Sequence, residues 1–173
     1  AKVGAGQSIQ TAIDTASARD TIHLIAPGDY LGDLNITKPL KIISSHPDNH
    51  NIFGNISVSS LPTGQNLNLK NLTLVGRIFA SNSSLNIVRC YLSKDVNATN
   101  PGGLDTQLTI VQSTLSGKLS SSLSRTWIGY SDLRQSYFEG ILEIVGNIFN
   151  GNGTGRIGLD INGNHTFANI HNN

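Results

Sequence analysis

Charge is scarce in this chain. Lysine, arginine, aspartate and glutamate make up 13% of its 173 residues, and the net charge is +1. A distribution this thin and balanced gives no field to draw in nucleic acid or an acidic membrane surface. Long apolar runs are missing too, and none approaches the roughly 18 residues a membrane-spanning helix needs. Cysteine occurs once, at Cys90, which excludes an internal disulfide. The chain opens on Ala1 with no methionine or leader before it, as expected of a processed product or an excised domain. At this length it reads as one domain, residues 1–173.

What the chain has is repetition. A phrase of alternating apolar and polar residues returns six times, at 67–74, 85–92, 108–115, 126–133, 142–149 and 164–171. A period of roughly 20 residues marks a solenoid, in which each repeat buries its apolar face only by stacking on its neighbours. Aligned, the phrases give one column of Leu69, Ile87, Ile110, Ile128, Ile144 and Thr166. Five residues on, a second column holds Leu74, Leu92, Leu115, Leu133, Phe149 and His171. Between them runs a small or polar column of Leu72, Cys90, Ser113, Ser131, Asn147 and Asn169, which makes Cys90 a buried, inert thiol. A further column reads Ile78, Val96, Leu119 and Tyr137.

The alternation has period two, so the phrases are strands, and Gly, Asn and Ser punctuate their turns. Upstream, Thr21–Ile25, Leu34–Ile36, Leu40–Ile43 and Asn55–Val58 continue the coil. With Leu24 and Ile42 as earlier rungs, the count reaches about eight coils. Residues 8–17 form the one helical stretch, N-capped by Ser8, with Ile9, Ala12, Ile13 and Ala16 on a single face that covers the top of the stack.

After the helix come Asp20-Thr-Ile-His-Leu-Ile-Ala-Pro-Gly-Asp-Tyr30 and Leu34-Asn-Ile-Thr-Lys-Pro-Leu-Lys-Ile42. This order resembles the opening of right-handed parallel β-helix proteins of the pectate-lyase-like superfamily, and with the coil repeats the likeness covers nearly the whole chain. It implies an all-β, right-handed parallel β-helix of about eight coils with a short N-terminal capping helix. It does not imply one activity, because that superfamily holds lyases, hydrolases, esterases, adhesins and structural modules.

The chemistry of its enzymes is not written here. A pectate lyase clusters aspartates around Ca²⁺ beside an arginine or lysine base. Asp14, Asp20, Asp29, Asp33, Asp48, Asp95, Asp105, Asp132, Glu139, Glu143 and Asp160 are instead dispersed along the chain. The polygalacturonase pattern survives only as Arg156-Ile-Gly and Gly163-Asn-His165, and the pectin methylesterase motifs do not occur. His46 and His50 have i, i+4 spacing, but the Pro and Asn residues around them make a solvated loop rather than a ligand-bearing helix. No metal and no cofactor is expected, and regular Thr-x-Thr ranks are absent.

Two sets of surface residues stand out. Strand alternation turns Trp127 outward with Arg125 close by and Tyr130 near the turn, a group suited to stacking on and bonding to a glycan. Tyr91 projects from a neighbouring face. N-glycosylation sequons occur at Asn35, Asn55, Asn71, Asn82, Asn97, Asn152 and Asn164, an excess over what this composition gives by chance. Asn in turns and polar ladders accounts for the same pattern.

The chain ends at His171-Asn-Asn173 with nothing to cover the last coil, so another domain or self-association is expected there. The leading expectation is a non-catalytic, extracellular or cell-surface structural module of a fibre, sheath or adhesin, assembling by stacking or lateral association. A polysaccharide lyase or other carbohydrate-active enzyme and a carbohydrate-binding module are the alternatives. Polysaccharide is thus a candidate partner, and nucleic acid and a membrane span are not.

Overall fold

Runs in which apolar and polar residues alternate become strands because period two places every second side chain on one face of a pleated ribbon. The computed structural model describes residues 1–45, 50–138, 141–146, 148–149, 159–161 and 167–171. Among them the alternation builds 21 strands and one helix. The strands pair in parallel with their counterparts one coil away.

The first face is a nine-stranded sheet. Its order is β1 (Lys2–Val3), β2 (Thr21–Leu24), β5 (Lys41–Ser44), β8 (Asn66–Lys70), β11 (Ser84–Val88), β14 (Gln107–Val111), β16 (Arg125–Gly129), β18 (Ile141–Val145) and β21 (Phe167–His171). A second sheet of twelve strands starts as two faces. One holds β3 (Gly28–Leu31), β6 (His50–Phe53), β9 (Thr73–Leu74) and β12 (Tyr91–Leu92). The other holds β4 (Leu34–Ile36), β7 (Ile56–Ser59), β10 (Ile78–Ser81) and β13 (Val96–Thr99). They merge at β15 (Thr114–Ser121), whose start pairs with β12 and whose end pairs with β13. β17 (Asp132–Phe138) lies on β15, and β19 (Ile148–Phe149) and β20 (Leu159–Ile161) pair with its two ends. The result is an all-β parallel solenoid. Eight successive rungs from β2 to β21 bound seven turns, so the expected figure of about eight counted rungs rather than turns.

The core sits between the faces. Ile22, Ile42, Leu69, Ile87, Ile110, Ile128 and Ile144 stack in register and are fully buried. Leu74, Leu92, Leu115 and Leu133 form the second column. Burying one such side chain is worth about 1.5–3 kcal/mol, and each coil gains it only under the cover of the next. Helix α1 (Ile9–Thr15) begins at Ser8, whose Oγ accepts the Thr11 N–H at 3.2 Å. It lays Ile9 and Ile13 onto the N-terminal end of the stack, as expected, and β1 adds a rung there that the sequence reading did not include. No helix among the described residues is long and apolar enough to cross a membrane.

Several registers differ from expectation. Ile42 pairs with Ile22, while Leu24 stands beside Ser44 in the neighbouring column. Ser136, not Tyr137, follows Leu119, because β15 carries one extra residue between Leu115 and Lys118. In the last coil Ile170 pairs with Ile144, which puts Asn169 beside Glu143 and His171 beside Val145. That coil spends 26 residues from Ile144 to Ile170 where its neighbour spends 16 from Ile128 to Ile144, so the column expected at Thr166 falls four residues later, at Ile170. Thr166 and Asn147 lie outside the described residues.

His50 is another correction. It opens β6 and is wholly buried, with Nδ1 2.5 Å from Ser44 Oγ and its ring centroid 6.0 Å from that of Tyr30. A polar side chain is tolerated at such depth when it is hydrogen-bonded. His46 lies outside the described residues.

The corner between the second and third faces is a column of glycine. Gly32, Gly54 and Gly76 follow one another, and a Cβ on Gly76 or Gly54 would overlap the carbonyl of the glycine one coil earlier. Gly117 meets the backbone of Lys94 in the same way. Beside the glycines, Asp33 Oδ1 accepts the Asn55 N–H at 2.7 Å and Asn55 Oδ1 accepts the Arg77 N–H at 3.0 Å. Gly76→Ala is therefore expected to lower stability by about 1–3 kcal/mol, as overpacking does. Urea unfolding of the two proteins checks this, and equal midpoints would show that the corner has slack.

Candidate functional site

The outer side of the nine-stranded face carries the most organised polar surface among the described residues. One outward column runs Lys41, Asn68, Asn86, Thr109, Trp127 and Glu143 in strict register. Its amides are coupled: Asn68 Nδ2 donates to Asn66 Oδ1 at 2.8 Å, and Asn86 Nδ2 donates to Asn68 Oδ1 at 3.0 Å. Asn86 Oδ1 is covered and accepts no hydrogen bond among the described residues.

Two depressions border this column and share Gly64 and Asn66. The first, of about 300 Å³, is walled by Arg19, Lys41, Gln65 and Asn68. The second, of about 100 Å³, is walled by Ser84, Asp105, Gln107 and Thr109. Together they form a groove that runs across coils and leads, through Thr109, to Trp127 in the next rung. The loop residues Gly64, Gln65 and Asp105 that flank it gave no periodic signal in the sequence. The extra length of the coils that carry them was the only sign.

Trp127 is half-buried, and its ring lies along its own strand over Gly129, where a Cβ would stand 2.5 Å from Cη2. The glycine lets the indole lie flat, leaving an aromatic surface at the end of the amide row. Arg125 is exposed on the same side of β16, two residues before Trp127. Tyr130 is elsewhere. It stands at the corner after β16, 64% exposed, and borders a separate depression of about 450 Å³ with Arg89, Gln112 and Asp132. Trp127 and Arg125 thus stand one rung beyond the groove, in register with Thr109 and Gln107 of its wall, and Tyr130 lies away from it. Tyr91 lies on the second face, with its hydroxyl accepting from Ser116 Oγ at 3.1 Å.

The Tyr130 corner has a backbone cause. Asn71, Arg89, Gln112, Tyr130 and Gly146 occupy it in successive coils, with φ of 56°, 53°, 49°, 53° and 60°. From Asn71 to Tyr130 each N–H donates to a strand-end carbonyl one coil on, at 2.9–3.1 Å. Left-handed backbone costs a non-glycine residue about 1–2 kcal/mol. Arg89, Gln112 and Tyr130 carry it within the ladder.

Acids are spread over the faces. Asp29 and Asp132 share one outward column, but Asn51, Thr73, Tyr91 and Thr114 lie between them. Asp105 is the one carboxylate lining the groove among the described residues, and Glu143 lies beyond Trp127. No group of three or more His, Cys, Asp or Glu stands close enough to hold a metal ion among the described residues.

The sequons divide by what their side chains do. Asn55, Asn71 and Asn82 serve the corners: Asn71 Nδ2 donates to the Ser44 carbonyl at 3.3 Å, and Asn82 Oδ1 accepts the Gly102 N–H at 2.9 Å. Asn35 and Asn97 sit mid-strand and point outward. Asn152 and Asn164 lie outside the described residues.

What the fold defines is a class, the parallel β-solenoid. No family model, no curated protein and no solved structure matches the chain.

Cys90 is inside, as its column implied. Its N–H donates to Ser113 Oγ at 3.1 Å, and the Ser113 N–H donates in turn to Ser131 Oγ at 3.2 Å. Burial pushes its thiol up to about 11, against hydrogen bonds from the backbone at Leu72, Val88 and Asn71 to the sulfur that pull the other way. The thiolate is the reactive form, so the native protein at pH 8 is expected to resist iodoacetamide and to react fully in denaturant. Mass spectrometry of the alkylated chain checks this. Rapid labelling of the folded protein would contradict the burial.

Proposed function

We propose that this chain is a non-catalytic module of a surface fibre or adhesin that holds extended polysaccharide against its nine-stranded face. The observation that carries this is the single row of Asn68, Asn86 and Thr109 ending on the flat Trp127 ring. Rungs about 4.8 Å apart set hydrogen-bonding side chains, two amides and a hydroxyl, at one spacing along a line, which suits a repeating polar chain. The indole offers an apolar face to a sugar ring, and Lys41 and Arg19 close the far end of the groove. Kinship with the pectate-lyase-like β-helices belongs to the same proposal, supported by the opening run and the coil pattern. Export to the extracellular space or cell surface goes with it, supported by scarce charge and the sequon excess. Cleavage of a glycosidic bond by hydrolysis needs a pair of carboxylates flanking it. Among the described residues a single carboxylate lines the groove, which favours holding over cutting.

Affinity electrophoresis through gels holding neutral or acidic polysaccharides tests this. The chain is expected to be retarded by at least one of them, with Trp127→Ala weakening binding by about tenfold or more, some 1.4 kcal/mol. Tyr130→Ala is expected to bind unchanged. Equal retardation of Trp127→Ala would move the site elsewhere, and unsaturated product from a polyuronate with Ca²⁺ would overturn the non-catalytic reading.

Lateral self-association is a second reading, favoured by one observation. Leu31 and Phe53 pair in register on the second face, beside the glycine corner, and are 79% and 38% exposed. Two apolar side chains stacked outward beside a corner without side chains suit contact with another copy. Sedimentation velocity is expected to show concentration-dependent association that Leu31→Ser with Phe53→Ser abolishes. A monomer at all concentrations would end this reading.

A further inference from the structure

We propose that Asn97 and Asn35 are the N-glycosylation sites of the described coils, and that the first sugar on Asn97 packs on Phe79. The proposal rests on the export implied by the surface-module reading, but not on polysaccharide binding.

A glycan on asparagine needs the side-chain amide free and directed to solvent. Three of the five described sequons fail this. Asn55 Oδ1 accepts the Arg77 N–H at 3.0 Å, and its Nδ2 lies 3.4 Å from Asp33 Oδ1. Asn71 and Asn82 hold left-handed corners at φ 56° and 48°, with their amides bonded to the Ser44 carbonyl and the Gly102 N–H. A sugar on Asn55 or Asn71 takes the place of a hydrogen on the Nδ2 that faces Asp33 or the Ser44 carbonyl. On Asn82 the amide is pinned through Oδ1, and its Nδ2 is crowded by Gly102, where a Cβ would stand 3.3 Å away. Asn35 in β4 and Asn97 in β13 point outward from the third face, and neither side-chain amide is hydrogen-bonded to a described residue.

The register then adds a specific contact. The outward column of that face reads Asn35, Ser57, Phe79, Asn97. Phe79 is 40% exposed, so much of its ring faces solvent. It stands directly beside Asn97, about 4.8 Å away across the parallel pair. An N-acetylglucosamine on Asn97 would lie over that ring and remove its apolar face from water. The third face would then carry glycans while the nine-stranded face stays clear for a ligand.

The covalent step has a lipid-pyrophosphate-linked oligosaccharide as donor and a membrane-bound transferase as catalyst. The bond from the sugar C1 to the pyrophosphate oxygen breaks, its electron pair leaving on the pyrophosphate. The C1–Nδ2 bond forms, and Nδ2 gives up one proton.

The test is secretion of the full chain from a eukaryotic cell line. The folded protein is purified and its sites mapped by peptide N-glycosidase in ¹⁸O-water, which turns each occupied Asn into labelled Asp. Label is expected at Asn35 and Asn97 and not at Asn55, Asn71 or Asn82. Removing the glycan from a protein in which Asn35, Asn152 and Asn164 are all changed to Gln, so that Asn97 alone is occupied, is expected to lower Tm by about 2–4 °C, the shift that roughly 1 kcal/mol gives at this size. Adding Phe79→Ser is expected to abolish that difference while Asn97 stays occupied. Folded protein unlabelled at Asn97, or labelled at Asn55, Asn71 or Asn82, overturns the assignment. A difference unchanged by Phe79→Ser overturns the packing on Phe79.

Discussion

Each coil must close on the same path as the one before it, within the reach of a hydrogen bond. Strands in a parallel ladder accept no drift. Once Ile42 stands on Ile22 and Ile87 on Leu69, every residue between them is constrained in turn. The two unusual corners follow from this. At one, the backbone turns left-handed in coil after coil whatever side chain is present, so Arg89, Gln112 and Tyr130 accept a conformation that Gly146 takes freely. At the other, successive carbonyls approach so closely that Gly54 and Gly76 leave no room for a Cβ. Freedom remains in two places: the outward side chains and the lengths of the loops that leave the path.

Those two freedoms make the candidate site. Trp127 and the amide row are outward side chains on a rigid ladder, so their spacing is set by the backbone and not by their own packing. The groove beside them is made by loops, where the chain bulges out at Gly64 and Asp105 before rejoining the stack. Trp127 carries the indole and Gly129 the space it lies in, so the aromatic surface belongs to the pair.

The inward columns were legible because identity and spacing agree there: Ile87, Ile110, Ile128 and Ile144 are alike and sit in phrases of one pattern. Legibility failed wherever coil length changed. One extra residue in β15 moved Tyr137 out of its expected column, and a 26-residue coil misplaced the last phrase by four. Strands β3 and β6 escaped because Gly28-Asp-Tyr-Leu31 and His50-Asn-Ile-Phe53 have too few apolar residues to alternate visibly, and β6 buries a histidine at its start. The glycine corner could have been read. Leu31-Gly-Asp-Leu34, Phe53-Gly-Asn-Ile56 and Val75-Gly-Arg-Ile78 recur at intervals of 22 residues, but lie outside the six repeated phrases. The aromatic group was half legible. Alternation turned Trp127 and Arg125 outward together, while the left-handed corner that carries Tyr130 away has no signature in a residue type that seldom adopts it.

The direction of the ladder also sets how the molecule meets force. The hydrogen bonds between coils point along the solenoid axis, as the pairing of each strand with its counterpart one coil on requires. Tension along that axis passes through every ladder in series, and applied at a chain end it opens the terminal coil first and peels one coil at a time. Each coil of roughly 20 residues releases about 70 Å of chain at about 3.3–3.6 Å per residue. Tension across the axis instead pulls β15 and β17 along their lengths and loads a whole row of bonds in shear. The same coils are compliant in one direction and stiff in the other.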